Sequence, residues 1–306
     1  TSFKDRAYRY VRCDKLMHDE ETNVVYFSPL LKSSHSAFYQ RIKELLQDIR
    51  IEYRELKYTK DYWTRDYMPF QLGKDNFLKY RYYPDYLVNS KDDNDREYIT
   101  NCTKVLRGMG ISCNSTDLII DGGNMVACGP YIIMTDKVYV ENHCKKDDAE
   151  FKARLESEIG YPVIIIPWTM HGDFDAKDTD KYGHSDGFIK WCGDNRILMC
   201  NHGDEYPEEA TAIRNELEKY GFEVTEMRFY NKVASPTVDL NWAYINFLQV
   251  GKHIIMPIFN IEEDSIAYNY IADAFPDCTI HQIEMAEIAE EGGALHCISW
   301  NICQNN

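Results

Sequence analysis

The chain has 306 residues, 44% of them hydrophobic, and a formal net charge of −16 from 34 basic and 50 acidic residues. The acidic balance argues against nonspecific nucleic-acid binding and mildly favours a cationic ligand. The sequence contains no run of about twenty apolar residues, so we predict no membrane span. Its charged start, Thr1 to Arg6, is unlike a secretory signal.

Ten cysteines are scattered without a Cys-x-x-Cys pair, which is typical of a reduced, cytoplasmic protein. This length suits one large domain or two smaller ones. We predict a single catalytic domain over residues 1–306. The sequence leaves open whether the chain forms a homo-oligomer.

Helix and strand periodicities alternate regularly along the chain. Apolar residues at helical spacing, each time followed by a short strand-like run, predict helices over 38–49, 96–106, 148–159, 209–220 and 263–274 with strands at 51–56, up to 120, 163–166, 222–229 and 278–283. Each repeat also contains a polar segment after its helix and strand, and two more short strands follow that segment, for example 188–191 and 197–200. The sequence therefore predicts an α/β fold built from five repeats of strand, strand, helix, strand.

Five polar segments recur at the same phase of these repeats. Asp66, Asn124, Asp186, Asn246 and Cys297 mark them, at intervals of 58, 62, 60 and 51 residues. A constant period indicates one repeated structural unit, so the five segments should meet at one centre. We predict an active site there. The alternative is an ordinary α/β sandwich whose strands happen to be evenly spaced.

The residue types at this centre favour chemistry on a planar cation. Cys297 follows a glycine pair that lets backbone approach a ligand, and a cationic substrate would lower the pKa of its thiol. His184 and Asp186 would share one side of a strand, while Asp66 arrives from another repeat. Two carboxylates suit a guanidinium, whereas a carbonyl substrate would call for oxyanion donors.

Other polar residues receive plainer interpretations. We expect His296 to face away from Cys297 along a strand, Asp121 to cap or orient the backbone at its glycine pair, and Arg65 to pair with a core carboxylate. We predict small buried hydrophobes for Cys102, Cys113, Cys128, Cys144, Cys192, Cys200, Cys278 and Cys303.

No metal site is predicted. The aspartates from Asp173 to Asp180 do not fit a calcium loop, because the required glycine and final glutamate are missing. The pairs His143–Cys144 and Cys200–His202 lack a second ligand pair at zinc spacing.

The five segments together resemble those of the agmatine deiminase and Porphyromonas-type peptidylarginine deiminase family. The matching motifs are Trp63-Thr64-Arg65-Asp66-Tyr67-Met68-Pro69, Asp121-Gly122-Gly123-Asn124, Gly183-His184-Ser185-Asp186-Gly187, Tyr244-Ile245-Asn246-Phe247 and Gly292-Gly293-Ala294-Leu295-His296-Cys297. The resemblance implies a five-bladed, pseudo-symmetric α/β-propeller, the pentein fold, acting on guanidino groups.

The resemblance also implies roles for individual residues. Asp66 and Asp186 would hold the guanidinium, His184 would be the acid and base, and Cys297 the nucleophile. Asn246, Trp63 and Gly293 would be further site residues. No cofactor or metal is required. Met68 and Glu291 stand where the family usually has glycine.

The expected reaction is hydrolysis of agmatine to N-carbamoylputrescine and ammonia through a covalent cysteine thiouronium. Free or peptidyl arginine, giving citrulline, is the alternative substrate, for which Arg81 would read a carboxylate. The acidic loop 173–180 would instead read an ammonium and could act as a lid. Amidino transfer, a Cys–His peptide hydrolase and a non-catalytic pentein that binds a macromolecule remain as other functions.

Overall fold

The computed structural model describes residues 15–89, 92–168, 182–204, 206–229 and 243–305. Strands within these ranges are β1 Val24–Phe27, β2 Glu52–Glu55, β3 Phe70–Gly73, β4 Asn76–Arg81, β5 Cys113–Ile119, β6 Val126–Cys128, β7 Tyr131–Thr135, β8 Val163–Ile166, β9 Ile189–Trp191, β10 Arg196–Met199, β11 Glu223–Glu226, β12 Leu248–Val250, β13 His253–Ile258, β14 Thr279–Glu284 and β15 Trp300–Ile302.

The helices within the same ranges are α1 Pro29–Ser34, α2 Ser36–Asp48, α3 Thr64–Tyr67, α4 Asp85–Val88, α5 Cys102–Val105, α6 Lys137–Glu141, α7 Ala149–Ile159, α8 Pro207–Lys219, α9 Glu263–Ala274 and α10 Ala286–Ala289. Short 3₁₀ helices cover Asp19–Glu21, Asp93–Tyr98, Gly122–Asn124, Ser185–Gly187 and His202–Asp204. None of the helices in the described ranges is long and apolar enough to cross a membrane.

The strands form five three-stranded sheets with one common plan. The first strand of each sheet pairs antiparallel with the second, and the second pairs parallel with the third, as in β9–β10–β11. A parallel pair needs a crossover connection, and a helix supplies it in each sheet. The predicted α/β repeat is therefore confirmed, and the five small sheets fit a pseudo-fivefold arrangement.

The fifth sheet joins the two ends of the described chain. β15 pairs antiparallel with β1, and β1 pairs parallel with β2. This repeat thus takes its first strand from the C-terminal end and its other elements from the N-terminal end. The pairing of β15 with β1 joins the Cys297 segment to the elements at the N-terminal end of the described chain.

The helices bury the apolar faces that their spacing predicted. On α2 these are Phe38, Ile42 and Leu46, and α7 buries Leu155 and Ile159. Asp148 is the N-cap of α7, because its carboxylate accepts the amide hydrogen of Phe151 at 2.9 Å. Burying each of these aliphatic or aromatic side chains contributes roughly 1.5–3 kcal/mol.

The predicted helix over 96–106 is wrong in extent. The chain instead forms the 3₁₀ helix Asp93–Tyr98 and then the short α5. The hydroxyl of Thr100 accepts the amide of Lys60, and the side chain of Asn101 caps the amide of Thr103. These local bonds hold the backbone extended at 99–101 and start a new helix there.

Candidate active site

The five polar segments each lie just before the first strand of a sheet, and side-chain hydrogen bonds link them. The carboxylate of Asp66 accepts the amide of Gly123 at 3.1 Å, which ties the first segment to the second. The side-chain oxygen of Asn124 accepts the amide of Ser185 at 3.1 Å, which ties the second to the third. These two contacts cross from one sheet to the next.

The remaining links close this arrangement into a ring. The side-chain nitrogen of Asn246, Nδ2, donates to the backbone carbonyl of Asp186 at 3.2 Å. The side-chain oxygen of Asn246, Oδ1, accepts the backbone amide of Cys297 at 3.3 Å. The carbonyl of Cys297 then accepts the amide of Arg65 at 3.2 Å, which returns to the first segment. The convergence predicted from the repeat period is therefore present in the structure.

Asn246 serves this ring with both ends of its side chain. It is fully buried, and its backbone carbonyl also accepts the amide of His296 at 3.1 Å. Both the nitrogen and the oxygen of the Asn246 side chain thus bind backbone groups of the protein. Asn246 therefore fixes the backbone that carries Asp186 and Cys297.

Three polar atoms lie close to one point beside Gly123. A Cβ atom placed on Gly123 would lie 2.7 Å from Oδ1 of Asp66, 2.9 Å from Nδ1 of His184 and 3.3 Å from Oδ1 of Asp186. The sulfur of Cys297 lies 3.9 Å from Oδ2 of Asp186. The two aspartates and the histidine are buried, whereas Cys297 is half-buried. The structure thus brings the four predicted catalytic side chains to one place.

His184 lies between two carboxylates. Its Nε2 is 2.8 Å from Asp121 and its Nδ1 is 3.6 Å from Asp66. Burial opposes the charged imidazole, but the negative charges of Asp66 and Asp121 outweigh it and raise the pKa of His184 to about 9. The expected capping role of Asp121 is wrong, because its side chain binds His184. The expected strand is also wrong, because Ser185–Gly187 is a 3₁₀ helix.

A buried lysine that the sequence analysis missed lies behind this pair. Nζ of Lys137 is 3.1 Å from Asp121, 3.0 Å from Asp85 and 3.0 Å from Glu141, with the lysine fully buried. Burial opposes the charge on Asp121, but Lys137 and His184 hold the pKa of Asp121 well below its ordinary value. The ammonium therefore keeps Asp121 ionised and able to orient His184.

The nucleophile candidate lies in a negative environment. Burial, together with the charges of Asp186 and Asp66, raises the pKa of the Cys297 thiol well above its ordinary value. Burial likewise raises the pKa of Asp186, to about 6. An empty site therefore favours the neutral thiol, and a cation bound between the carboxylates would favour the thiolate.

His296 and Arg65 differ from their expected roles. Residues 295–298 form a turn, and Nδ1 of His296 lies 2.7 Å from Oδ2 of Asp186. Burial and the nearby cations of Arg65 and Lys190 lower the pKa of His296 well below its ordinary value. A neutral imidazole can then donate its Nδ1 hydrogen to Asp186. Arg65 donates to the carbonyl of His296 at 3.2 Å and to the side chain of Asn301, and neither is a carboxylate.

Aromatic rings lie beside Asp66 and the Cys297 segment. The hydroxyl of Tyr86 donates to Oδ2 of Asp66 at 2.9 Å, and its ring lies 5.1 Å from that of Tyr182. A Cβ atom on Gly293 would lie 2.3 Å from the ring of Trp63, and one on Gly292 would lie 2.6 Å from the ring of Tyr182. Only a glycine pair lets the Cys297 segment pack this closely on both rings.

The side chains at the two departures from the family motifs have partners elsewhere. Met68 is buried in the apolar core. Glu291 is exposed and pairs with Nε2 of His35 at 3.1 Å. Both side chains are therefore engaged outside the group formed by Asp66, His184 and Asp186.

Arg81 is not brought to the site. Its guanidinium lies 5.1 Å from the ring centre of Tyr83 and is exposed. Tyr80 and Tyr82 on either side face inwards, because Tyr80 donates to the carbonyl of Asp66 and Tyr82 contacts Tyr86. Successive strand side chains alternate in direction, so Arg81 points the other way.

The acidic loop 173–180 lies outside the described residues. Among the residues that are described, no group of three or more His, Cys, Asp or Glu side chains is arranged to hold a metal ion. Of the cysteines predicted to be buried, Cys102, Cys128, Cys192 and Cys200 are buried and the other four are half-buried.

The close packing beside Gly123 yields a direct prediction. Gly123→Ala should lower kcat/KM about fivefold or more, because a methyl group there would displace Asp66 and His184 and such overpacking costs about 1–3 kcal/mol. Gly187→Ala is the matched control, since a Cβ atom there would meet nothing within 4 Å. Steady-state kinetics of the two variants, with circular dichroism to verify folding, check this. Equal activity in both would show that the reaction does not depend on how Asp66 and His184 are placed at Gly123.

Solved structures share this fold. The Campylobacter jejuni agmatine deiminase aligns with a TM-score of 0.72 at 18% identity, covering 95% of this chain and 96% of that one. An Enterococcus faecalis agmatine deiminase aligns with a TM-score of 0.67 at 16% identity, covering 94% and 95%. These likenesses define an α/β fold of the deiminase and amidinotransferase type.

The family follows from the sequence. The model for the Porphyromonas-type peptidyl-arginine deiminase family matches residues 9–302, and the chain belongs to this family. Among curated relatives, the agmatine deiminase of Ectopseudomonas mendocina is 24% identical over 216 residues, or 59% of this chain and 56% of that protein. The match spans little more than half the length of such curated relatives.

Proposed function

We propose that this protein hydrolyses agmatine to N-carbamoylputrescine and ammonia through a covalent intermediate on Cys297. One observation carries the proposal. Polar atoms of Asp66, His184 and Asp186 all lie within 3.3 Å of one point beside Gly123. The sulfur of Cys297 lies 3.9 Å from Asp186. This set pairs two carboxylates, which suit a planar cation, with a nucleophile and an acid–base group.

The guanidinium binds between the carboxylates of Asp66 and Asp186. Both carboxylates are buried, and burial raises the pKa of each. A bound cation offsets this desolvation and keeps both groups ionised. Tyr86 and the amide of Gly123 hold Asp66, and His296 holds Asp186, so the acceptors are in place before substrate arrives.

Substrate binding also activates the nucleophile. The thiol of Cys297 is neutral in the empty site because burial and two carboxylates raise its pKa. The positive charge of the guanidinium lowers that pKa, so the thiol releases its proton to solvent as the cation enters. The thiolate then attacks the central guanidinium carbon, which is the electron-poor atom of the substrate.

His184 serves both halves of the reaction. With a pKa of about 9 it starts as the imidazolium and donates its proton to the departing nitrogen, so ammonia leaves. The neutral imidazole then takes a proton from water, which attacks the thiouronium carbon and releases the ureido product. Asp121 holds the ring in position throughout, at 2.8 Å from Nε2.

The surroundings favour an ammonium tail over a carboxylate tail. Trp63, Tyr86 and Tyr182 offer ring faces and edges, which accommodate an alkyl chain and attract a cation. Within the described ranges, the cations nearest the site are Lys137, Arg65 and Lys190, and all three are buried. Agmatine fits these walls better than free or peptidyl arginine does.

Product analysis over a substrate panel tests this proposal. Purified protein is incubated with agmatine, arginine and peptides carrying internal or C-terminal arginine, and ureido product and ammonia are measured. We expect the highest kcat/KM for agmatine. Citrulline as the main product would replace agmatine by arginine as the substrate. A parallel incubation with glycine, assayed for guanidinoacetate, detects amidino transfer.

Arg81→Ala separates the two substrate classes. We expect unchanged agmatine kinetics, within about twofold, because Arg81 points away from Asp66 and removing an exposed side chain costs little. Arg81→Lys, which keeps the charge, is the matched control. A large rise in KM confined to carboxylate-bearing substrates would show instead that Arg81 reads the far end of an arginine.

The architecture and setting belong to the same proposal. We infer that the five sheets are blades of one α/β-propeller, a single catalytic domain, supported by the closed ring of hydrogen bonds through all five segments. Within the described ranges no two cysteines form a disulfide, which supports a reduced, cytoplasmic setting.

A further inference from the structure

A second internal space lies behind the candidate active site. It is a cavity of about 150 Å³, and the first strands of all five sheets contribute to its walls. Arg65, Lys190, Gln249, His296 and Asn301 line its inner part. These five side chains are each more than nine-tenths buried. Arg65 and His296 separate this cavity from Asp186 and Cys297.

The guanidinium of Arg65 lines this cavity and has N–H groups that are not used in hydrogen bonds to the described residues. Its Nε donates to the carbonyl of His296, and one terminal nitrogen donates to the side chain of Asn301. Over the part of the chain that the structure describes, its other terminal nitrogen has no hydrogen-bond partner and its guanidinium forms no ion pair. A buried guanidinium without a carboxylate partner is costly, and burial lowers the pKa of Arg65.

Lys190 is the second cation in the wall. Its Nζ donates to the carbonyl of Phe247 at 3.1 Å and lies 4.7 Å from the centre of that ring. Among the described residues one carboxylate, that of Asp19, lies within 4 Å of this ammonium, at 3.8 Å, and it is 31% exposed. Lys190 thus keeps donor hydrogens available for a further acceptor.

The charges around the cavity do not cancel. Arg65 and Lys190 contribute two positive charges, with the pKa of each lowered by burial, and Asp19 contributes one negative charge. Farther out in the wall, Arg196 and Lys252 offset Glu20 and Asp277. The imidazoles of His18 and His296 add none, because burial lowers the pKa of both. The inner wall therefore carries one excess positive charge, together with unused N–H donors.

We propose that this cavity binds a small, singly charged oxyanion, such as a carboxylate or the phosphate monoanion, between Arg65 and Lys190. A guanidinium fork and an ammonium are the groups that proteins use to hold such oxygens. A cavity of about 150 Å³ accommodates several water-sized groups, enough for an ion of this size. The proposal concerns a site separate from the guanidino site, which attracts cations.

Calorimetric titration of the whole protein at pH 6 tests the proposal. The probes are sodium formate and sodium phosphate, each compared with sodium chloride at equal ionic strength. We expect saturable binding of at least one oxyanion, and the responsive probe distinguishes carboxylate from phosphate. Heats indistinguishable from those of chloride would overturn the proposal and indicate that water fills the cavity.

Two variants locate the binding. Lys190→Met keeps the length of the side chain and removes the charge, and we expect the affinity to fall at least tenfold. Asp19→Asn removes the competing carboxylate from a partly exposed position, and we expect the affinity to rise severalfold. Lys219→Met, an exposed lysine paired with Glu216, is the control for a lost positive charge elsewhere.

If Lys190→Met does not fold, Asp19→Asn still tests the proposal. Unchanged affinity in Asp19→Asn, or an equal loss in Lys219→Met and Lys190→Met, would contradict a site between Arg65 and Lys190. These measurements need no catalytic activity, so their outcome is independent of the proposed deiminase reaction.

Discussion

Replacement of Cys297 by alanine should abolish turnover while the protein stays folded. Loss of a covalent nucleophile lowers kcat by about four orders of magnitude or more. The fold should survive because Cys297 is half-buried and its thiol has a long contact with Asp186, at 3.9 Å. The ring contacts of this segment use its backbone, which alanine retains.

The measurement combines kinetics with mass spectrometry. Ammonia and ureido product are assayed for Cys297→Ala, and the wild type is quenched during turnover to detect the thiouronium on Cys297. Cys303→Ala is the control, since Cys303 is also half-buried and only its backbone binds Gln71. Ammonia release at the wild-type rate from Cys297→Ala would end the covalent scheme.

The sequence predicts the repeat well because its signals are local. Helical spacing, β-branched runs and the near-constant interval between polar segments are all visible within one repeat. The strand Val163–Ile166 has the predicted bounds, and α7 lies within a residue of its predicted start. From this repeat, the meeting of Asp66, His184 and Asp186 follows by symmetry alone.

The supporting residues escape the same reasoning because their partners are distant in sequence. Tyr86 binds Asp66 from 20 residues away, and Asp85 joins Lys137 from another sheet. One signal was available for Lys137. It stands four residues before Glu141, a spacing that pairs charges on a helix, within an apolar stretch that predicts burial.

The turn at Cys297 was missed for a different reason. Alternation along a strand predicts that His296 and Cys297 face opposite sides, but the glycine pair before them allows a turn in place of a strand. Both residues then approach Asp186, at 2.7 Å from Nδ1 of His296 and 3.9 Å from the sulfur. Because the glycine pair permits a turn, the alternation of side chains along a strand does not apply to His296 and Cys297.

Asp66→Asn and Asp186→Asn should each lower kcat/KM by about thirtyfold or more. Each change preserves shape and removes one charge, and losing a charge-assisted pair in a desolvated site costs about 2–5 kcal/mol. Asp136→Asn is the control, since that carboxylate pairs with Lys146 outside the site. Near-normal kcat/KM in either variant would exclude that residue from guanidinium binding.

The pH dependence distinguishes the two aspartates further. Asp66 is one of the two carboxylates that raise the pKa of His184, and His184 must be protonated to release ammonia. In the wild type, activity should fall as the pH rises through about 9, where His184 loses its proton. Asp66→Asn removes a charge that favours the imidazolium, so this fall in activity should move to lower pH.

Asp186→Asn should leave the fall in activity closer to its wild-type pH, because the two carboxylates next to His184, Asp66 and Asp121, are retained. The pH profiles of kcat/KM, which report the groups of the free enzyme, check this when the two variants are measured side by side. Identical profiles would show that Asp66 does not control the acid.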